Sequence, residues 1–270
     1  MSSSSRTDPN FPRGVQAFVF EAAERRRGVE DRLVALLAAH GFREVILPML
    51  DYASAYERVT VGGDRLYRFV DRAGELLAVR ADFTPMAARA LAPRLTAART
   101  AAVFYRGDVV RDEEAGVGRP REFAQVGAEL YGEPGGAADA RLLGLALAAL
   151  GGVAPSRLFV TLGWAGLLER VLVSVAPCLA RGAGEDLARA AAAARERRVT
   201  AVLALLREAG APAAAADEIS RALLLGFEPE SSLFRLPVLA GPAAALRSSR
   251  AQARAALPEA RVVVDLAEGA

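Results

Sequence analysis

The chain contains no lysine; all 34 of its basic residues are arginine. That excludes a Walker phosphate loop, Schiff-base chemistry and a pyridoxal anchor together, because each uses a lysine amine. One cysteine, Cys178, and one histidine, His40, are present. A disulfide framework or thiolate cluster needs more of the first, and zinc sites or Ser-His-Asp chemistry draw on the second. No metal and no cofactor are therefore expected. Long apolar runs are missing too. The longest uncharged stretch, residues 142–156, carries three glycines and a proline, which excludes a helix spanning a bilayer. The N-terminus, MSSSSRTDPN, has no apolar signal region and reads as a short tail. With so little cysteine, the expected compartment is the cytoplasm. Net charge is only +2, so neither a membrane surface nor nucleic acid is an expected partner. The densest basic clusters, Arg25–Arg27 and Arg195–Arg198, read as solvated helix faces with acids interleaved or nearby. No G-x-G-x-x-G fingerprint occurs; Gly116-Val117-Gly118 sits in a loop.

What is present suits a globular chain: 270 residues, 53% hydrophobic and 24% charged, enough for one large domain or a domain with an appendage. Apolar spacing predicts a helix over 17–39 closed by His40-Gly41, then a strand from Arg43 to Leu47 stopped by Pro48. His40 is expected at the helix end, near the negative end of the dipole. Two short strands, Leu66–Val70 and Glu75–Arg80, flank turn chemistry at Asp71-Arg72-Ala73-Gly74 and predict a hairpin. Thr84 reads as the N-cap of a helix running to about Leu95, with Pro85 at its first position. Strands are expected at 101–110 and 122–131 around a long polar loop. Helix 137–150, strand 158–162, alanine-rich helices to about 225, a helix at 243–256 and a strand at 261–265 follow. Hairpins outnumber repeated βαβ units, so the fold class is α+β: an antiparallel sheet flanked by helices, with a helical C-terminal region. Trp164 and Cys178 are expected in the core.

The second hairpin is the place where chemistry gathers. Alternation puts Phe123, Gln125, Gly127 and Glu129 on one face, with Gln125 and Glu129 about 13 Å apart. Gly127 between them would leave room for a ligand. Arg111 and Arg119, at the two ends of the loop, are placed to close over that face and hold a carboxylate or phosphate. An ordinary solvent-facing hairpin explains the same alternation. Asp82 also reads as an ordinary pre-helix acid, and Asp112-Glu113-Glu114 as a solvated triplet.

Several segments carry a resemblance. Pro12-Arg13-Gly14 before the long helix, and His40-Gly41-Phe42-Arg43-Glu44-Val45-Ile46-Leu47-Pro48, resemble the opening and motif 1 of the histidyl-tRNA synthetase family. Val79-Arg80-Ala81-Asp82-Phe83-Thr84 is similar to its Arg-Pro-Glu-Gly-Thr segment. Val110-Arg111-Asp112-Glu113, then Gly118-Arg119-Pro120-Arg121-Glu122-Phe123-Ala124-Gln125-Val126-Gly127-Ala128-Glu129, resembles class II motif 2 in its histidyl form. The match covers residues 11–150 well and the rest loosely. Two branches share this pattern: the synthetases, and the catalytically silent regulatory subunits of ATP phosphoribosyltransferase. Asp82 in place of glutamate, and Val160-Thr161-Leu162-Gly163-Trp164-Ala165-Gly166, resemble the second branch. No motif 3 pattern is seen after residue 132 and no anticodon-binding domain, so adenylation is not expected.

The resemblance implies a tail at 1–10, a class II synthetase-like core at 11–160, an insertion-like helical region at 161–258, and the start of a returning core strand at 259–270. It implies no catalytic residue. Asp82 and Glu129 would face the amino group of a histidine-like ligand, Gln125 and Thr84 would hydrogen-bond it, and Arg111 and Arg119 would face carboxylate or phosphate. The implied partners are a short-form ATP phosphoribosyltransferase catalytic subunit, a second copy through the Pro48 region, and histidine as effector of the first step of histidine biosynthesis. A degenerate or truncated ligase is the alternative, and a synthetase-derived nucleic-acid module a third.

Overall fold

The computed structural model describes residues 10–57, 65–95, 100–114, 119–133, 135–153, 159–163, 166–180, 185–225, 240–258 and 261–264. They form two compact units, Met1–Ala138 and Asp139–Ala270.

The first unit contains α1 (Glu21–Ala39), β1 (Arg43–Glu44), β2 (Leu50–Tyr52), α2 (Ser54–Glu57), β3 (Arg68–Val70), β4 (Leu76–Val79), α3 (Thr84–Leu91), β5 (Ala101–Val110) and β6 (Glu122–Tyr131). β5 and β6 pair antiparallel along their whole length, and β1 joins β5 in parallel. A second sheet has the order β2-β4-β3, antiparallel throughout. Its β3–β4 turn is closed as expected: the Asp71 carboxylate accepts the N–H groups of Ala73 and Glu75, and Gly74 takes φ +86°.

Residues directly opposite in an antiparallel pair share a face. One face of the β5–β6 hairpin carries Phe104, Arg106 and Asp108 and contacts α1, where Arg26 pairs with Asp108 and Arg106 with Asp31 at 3.1 Å. Arg26 is thus an ion-paired, half-buried residue rather than part of a solvated stripe; Arg25 and Arg27 are exposed. The other face sets Val103 beside Glu129, Tyr105 beside Gly127, Gly107 beside Gln125 and Val109 beside Phe123. Two of its positions must be glycine for reasons of space. A Cβ on Gly107 would stand 2.8 Å from the Arg80 guanidinium and 3.1 Å from the Phe83 ring; one on Gly127 would stand 2.5 Å from the Tyr105 ring. The space above Gly127, which the sequence reading left to a ligand, is filled by Tyr105.

The second unit holds α4 (Gly136–Val153, which begins just before it), β7 (Phe159–Leu162), α5 (Leu167–Val175), α6 (Glu185–Arg195), α7 (Val199–Glu208), α8 (Ala213–Leu225), α9 (Ala240–Ala256) and β8 (Arg261–Val264). Leu167, Leu168, Val171 and Leu172 of α5, Val202 and Leu206 of α7, and Ile219 and Leu223 of α8 form its main core. α6 enters that core through Ala190, Ala191, Ala193 and Ala194, all at most 2% exposed, whose small side chains allow close helix approach. A second cluster joins Leu147, Ala253 and Val262. β8 pairs with β7 in parallel, a crossover that the antiparallel expectation did not contain.

Several element boundaries differ from the expected ones. α1 starts at Glu21 because Phe20, at φ +51°, breaks the helical path. The strand after α1 holds only Arg43–Glu44 in ladder pairing. α3 ends at Leu91 and passes into a 3-10 turn at Ala92–Arg94. His40 is the C-cap of α1, and its Nδ1 donates to the Leu36 carbonyl at 2.8 Å. Cys178 lies half-buried in a 3-10 turn, with its thiol on the Ala209 carbonyl; Trp164 and the 116–118 loop lie outside the described residues.

Two alanine substitutions test this packing. Gly127→Ala is expected to cost about 1–3 kcal/mol in urea unfolding, because the Tyr105 ring must move. Gly28→Ala, in α1 with nothing within 4 Å of the added methyl, is expected to gain about 0.5–1 kcal/mol from helix propensity. Equal effects at the two positions would contradict the filled space over Gly127.

Candidate functional site

The β4–α3 connection supplies one side of the site and the glycine-bearing hairpin face the other. Arg80, 5% exposed, directs its guanidinium onto main-chain carbonyls: Nη1 donates to Leu47 (2.8 Å) and Pro48 (3.1 Å), while Nε (3.1 Å) and Nη2 (2.8 Å) share Asp108. Its charged plane lies 4.0 Å from the Phe83 ring centroid, and Phe83 in turn stacks on Tyr105 at 4.4 Å. Burial pulls the Arg80 pKa down, but the carbonyl dipoles meet the charge where it sits.

The Tyr105 hydroxyl reaches the Glu129 carboxylate at 3.2 Å, and the Thr84 hydroxyl donates to the same oxygen at 2.7 Å. Thr84 and Tyr105 stand 3.4 Å apart, so the three side chains close a small triangle. Tyr105 is buried, Glu129 half-buried and Thr84 exposed, which leaves the triangle open on the Thr84 side. Burial pushes the Tyr105 phenol up to about 12; the Thr84 hydroxyl opposes that shift and the Glu129 carboxylate adds to it. Tyr131, two residues beyond Glu129 on the same face, is pushed to about 12 by burial first and Glu129 second.

The remaining expected residues divide. Asp82 is at the helix entrance, where its carboxylate accepts the Thr84 N–H at 2.9 Å. This corrects the capping assignment: Thr84 is the first helical residue, Phe83 holds the cap position without a side-chain bond, and Asp82 does the capping. Gln125 lies on the expected face, and its Oε1 is buried without a hydrogen-bond partner among the described residues. Arg111 donates through Nε to the Ala81 carbonyl at 3.1 Å and lies 5.2 Å from the Phe123 ring centroid, against the same β4–α3 connection. Arg119 is exposed, and no contact among the described residues joins it to Thr84 or Glu129. Glu113 is taken by Arg65 at 3.0 Å, and no group of three metal-ligating side chains occurs among the described residues.

Sequence reasoning missed Tyr105, Phe83 and the buried role of Arg80. The signal was in the hairpin register, which sets a large aromatic, Tyr105, opposite a glycine, Gly127. Chemically, the acceptors are the Glu129 carboxylate on the hairpin face, the Asp82 carboxylate in the β4–α3 connection and the buried Gln125 amide oxygen, groups of the kind that meet N–H donors.

The family profile described as Histidyl-tRNA synthetase matches residues 14–270. An ATP phosphoribosyltransferase regulatory subunit from Symbiobacterium thermophilum is 33% identical over 222 residues, which cover 81% of this chain and 53% of that protein. Matches of this kind take in 37% to 53% of the relatives' length, so the chain spans about half of the curated relatives it matches or less. Among solved structures, an ATP phosphoribosyltransferase regulatory subunit/histidyl-tRNA synthetase from Bacillus halodurans aligns with TM-score 0.74 at 19% identity, over 98% of this chain and 69% of that one. A subunit of the ATP phosphoribosyl transferase complex from Thermotoga maritima aligns with TM-score 0.66 at 16% identity, over 90% and 81%. The fold is therefore α+β of the class II synthetase type, with an antiparallel sheet flanked by helices.

The tyrosines provide a pH test. An unfolded tyrosine titrates near 10, while folded Tyr56, Tyr105 and Tyr131 are each pushed up to about 12. Their contribution is fully present below about pH 10 and is lost as pH rises toward 12, because the unfolded chain releases its protons first. Unfolding free energies are expected to fall between about pH 10 and 12, with a shallower slope in Tyr105→Phe. Identical slopes would contradict the burial of the Tyr105 hydroxyl.

Proposed function

The chain belongs to the histidyl-tRNA synthetase family, and from that premise we propose that it is a non-catalytic regulatory subunit of ATP phosphoribosyltransferase. The observation that carries this reading is the name shared by its curated relatives, which are ATP phosphoribosyltransferase regulatory subunits. In this role the chain assembles in the cytoplasm with a short-form catalytic subunit, enables the first step of histidine biosynthesis and conveys inhibition by histidine. Among the described residues no helix is long and apolar enough to cross a membrane.

The acceptor-rich face supports histidine as effector. The Glu129 and Asp82 carboxylates and the orphaned Gln125 oxygen suit the ammonium and imidazole N–H groups, with Thr84 as a further partner. Arg111, which bonds the Ala81 carbonyl of the β4–α3 connection, is suited to the ligand carboxylate, and Arg119 is the more remote candidate. Histidine needs to favour one state of the complex by only about 1–3 kcal/mol to act as an inhibitor.

A homodimer through the Pro48 region belongs to the same proposal. Ile46 is 91% exposed, and Leu50, Tyr52 and Phe69 lie exposed on one face of the β2-β4-β3 sheet. An apolar face of this kind is what an association surface needs. A second reading, a degenerate ligase, draws on the family profile and on the retained Arg111 and Phe123 of motif 2.

Reconstitution tests the proposal. The source organism's short phosphoribosyltransferase is assayed alone, with this chain, and with this chain plus histidine. The expected result is activation that histidine suppresses, with suppression weakened about tenfold or more by Gln125→Ala or Glu129→Ala if each removes a charge-assisted contact. No activation and no complex would reject the regulatory reading; histidine-dependent exchange of pyrophosphate into ATP would establish the ligase instead.

A further inference from the structure

The apolar strand segment and the Glu129 cluster are joined by an unbroken series of contacts that runs through one side chain. Arg80 bonds the Leu47 and Pro48 carbonyls, which immediately follow Ile46 and precede Met49 and Leu50, three of the exposed apolar residues. The same guanidinium bonds the Asp108 carbonyl and lies on Phe83. Phe83 stacks on Tyr105, whose hydroxyl holds Glu129. Each link is confined. Arg80 and Phe83 fill the space over Gly107, and Tyr105 fills the space over Gly127, so the three pack against the hairpin and one another.

We infer that Arg80 is a positioning residue that couples the Thr84–Tyr105–Glu129 cluster to self-association through the Ile46–Leu50 segment. A change that loosens or tightens the cluster alters the seating of Phe83, and Arg80 carries that displacement to the carbonyls of Leu47 and Pro48. The strand that presents Ile46, Met49 and Leu50 then offers a different surface to a second copy. This rests on the homodimer of the proposed function and adds to it the element by which the ligand face and the association face influence one another. Coupling of this kind demands two arrangements of a packed element that both ends can bias.

A guanidinium is needed, not just a charge. The planar fork reaches three carbonyls while stacking on a ring, whereas a lysine ammonium is a point charge that cannot do both. Arg80→Lys therefore keeps the charge and cuts the connection. Phe83→Leu cuts it elsewhere, removing the ring between Arg80 and Tyr105 while leaving the carbonyl bonds.

The test is a double-mutant cycle read in the dimer dissociation constant by sedimentation, with circular dichroism confirming that each variant is folded. Thr84→Ala, which removes a bond to Glu129, is expected to change that constant about fivefold or more in the wild-type background. In Arg80→Lys, and independently in Phe83→Leu, the same substitution is expected to have almost no effect. Arg89→Ala, which cuts the separate α3–β2 ion pair with Asp51, is the control and is expected to leave the Thr84 effect intact. The inference is overturned by a chain that is monomeric throughout, by a Thr84 effect that is absent or unchanged in both connecting variants, or by its equal loss in Arg89→Ala. These outcomes stand apart from the reconstitution assay: a coupled dimer that fails to activate the phosphoribosyltransferase rejects only the regulatory role.

Discussion

The burial of the Arg80 guanidinium is the constraint from which the packing around the Glu129 cluster follows. A charge taken from water is costly unless it is met by hydrogen bonds in place. Here it is met by carbonyls from three separate positions, Leu47, Pro48 and Asp108. Satisfying it therefore ties the β1–β2 connection, the residue after β4 and the C-terminal part of β5 to one point. The consequences spread outward. Gly107 is required beneath the guanidinium, Phe83 is pinned above it, and Tyr105 is pressed flat between Phe83 and Gly127. Only then is the Tyr105 hydroxyl delivered to Glu129. The site is thus built from the interior outward, with Thr84 as its exposed rim.

That order of construction explains what the sequence made legible. Local signals worked well: the Asp71–Gly74 turn, the two ten-residue strands of the β5–β6 hairpin and the helix-ending His40 all stand where spacing and turn chemistry put them. The direct bond between Thr84 and Glu129, 45 residues apart, had no local signal; motif resemblance only grouped the two around a ligand. Where two local rules compete, the reading went astray. Thr84 and Asp82 are both good capping residues, and the helix uses Asp82. Gly127 signals close approach, but alternation along one strand cannot say whether a ligand or a neighbouring ring approaches; the cross-strand register can. The parallel β7–β8 pair was hidden for a different reason, since the two strands are separated by an intervening run of helices and share no turn signal.

The two units use different means to reach a packed core. The first relies on arginines buried against aromatics and carbonyls, a chemistry available because every basic residue in the chain is arginine. The second relies on alanine faces that let helices approach closely, with leucine and valine filling the remaining volume. The retained family motifs lie in the first unit, as does the cluster of carboxylates and the orphaned amide oxygen. The relatives of known name that this chain resembles are regulatory subunits.

The central claim is that the Glu129 face is a histidine pocket. Calorimetric titration of histidine into the intact chain, beside Glu129→Gln, tests it most directly. The account predicts saturable binding to the wild-type chain, weakened about tenfold or more in Glu129→Gln by loss of a charge-assisted hydrogen bond. Absence of binding, or binding indifferent to Glu129→Gln, would contradict it.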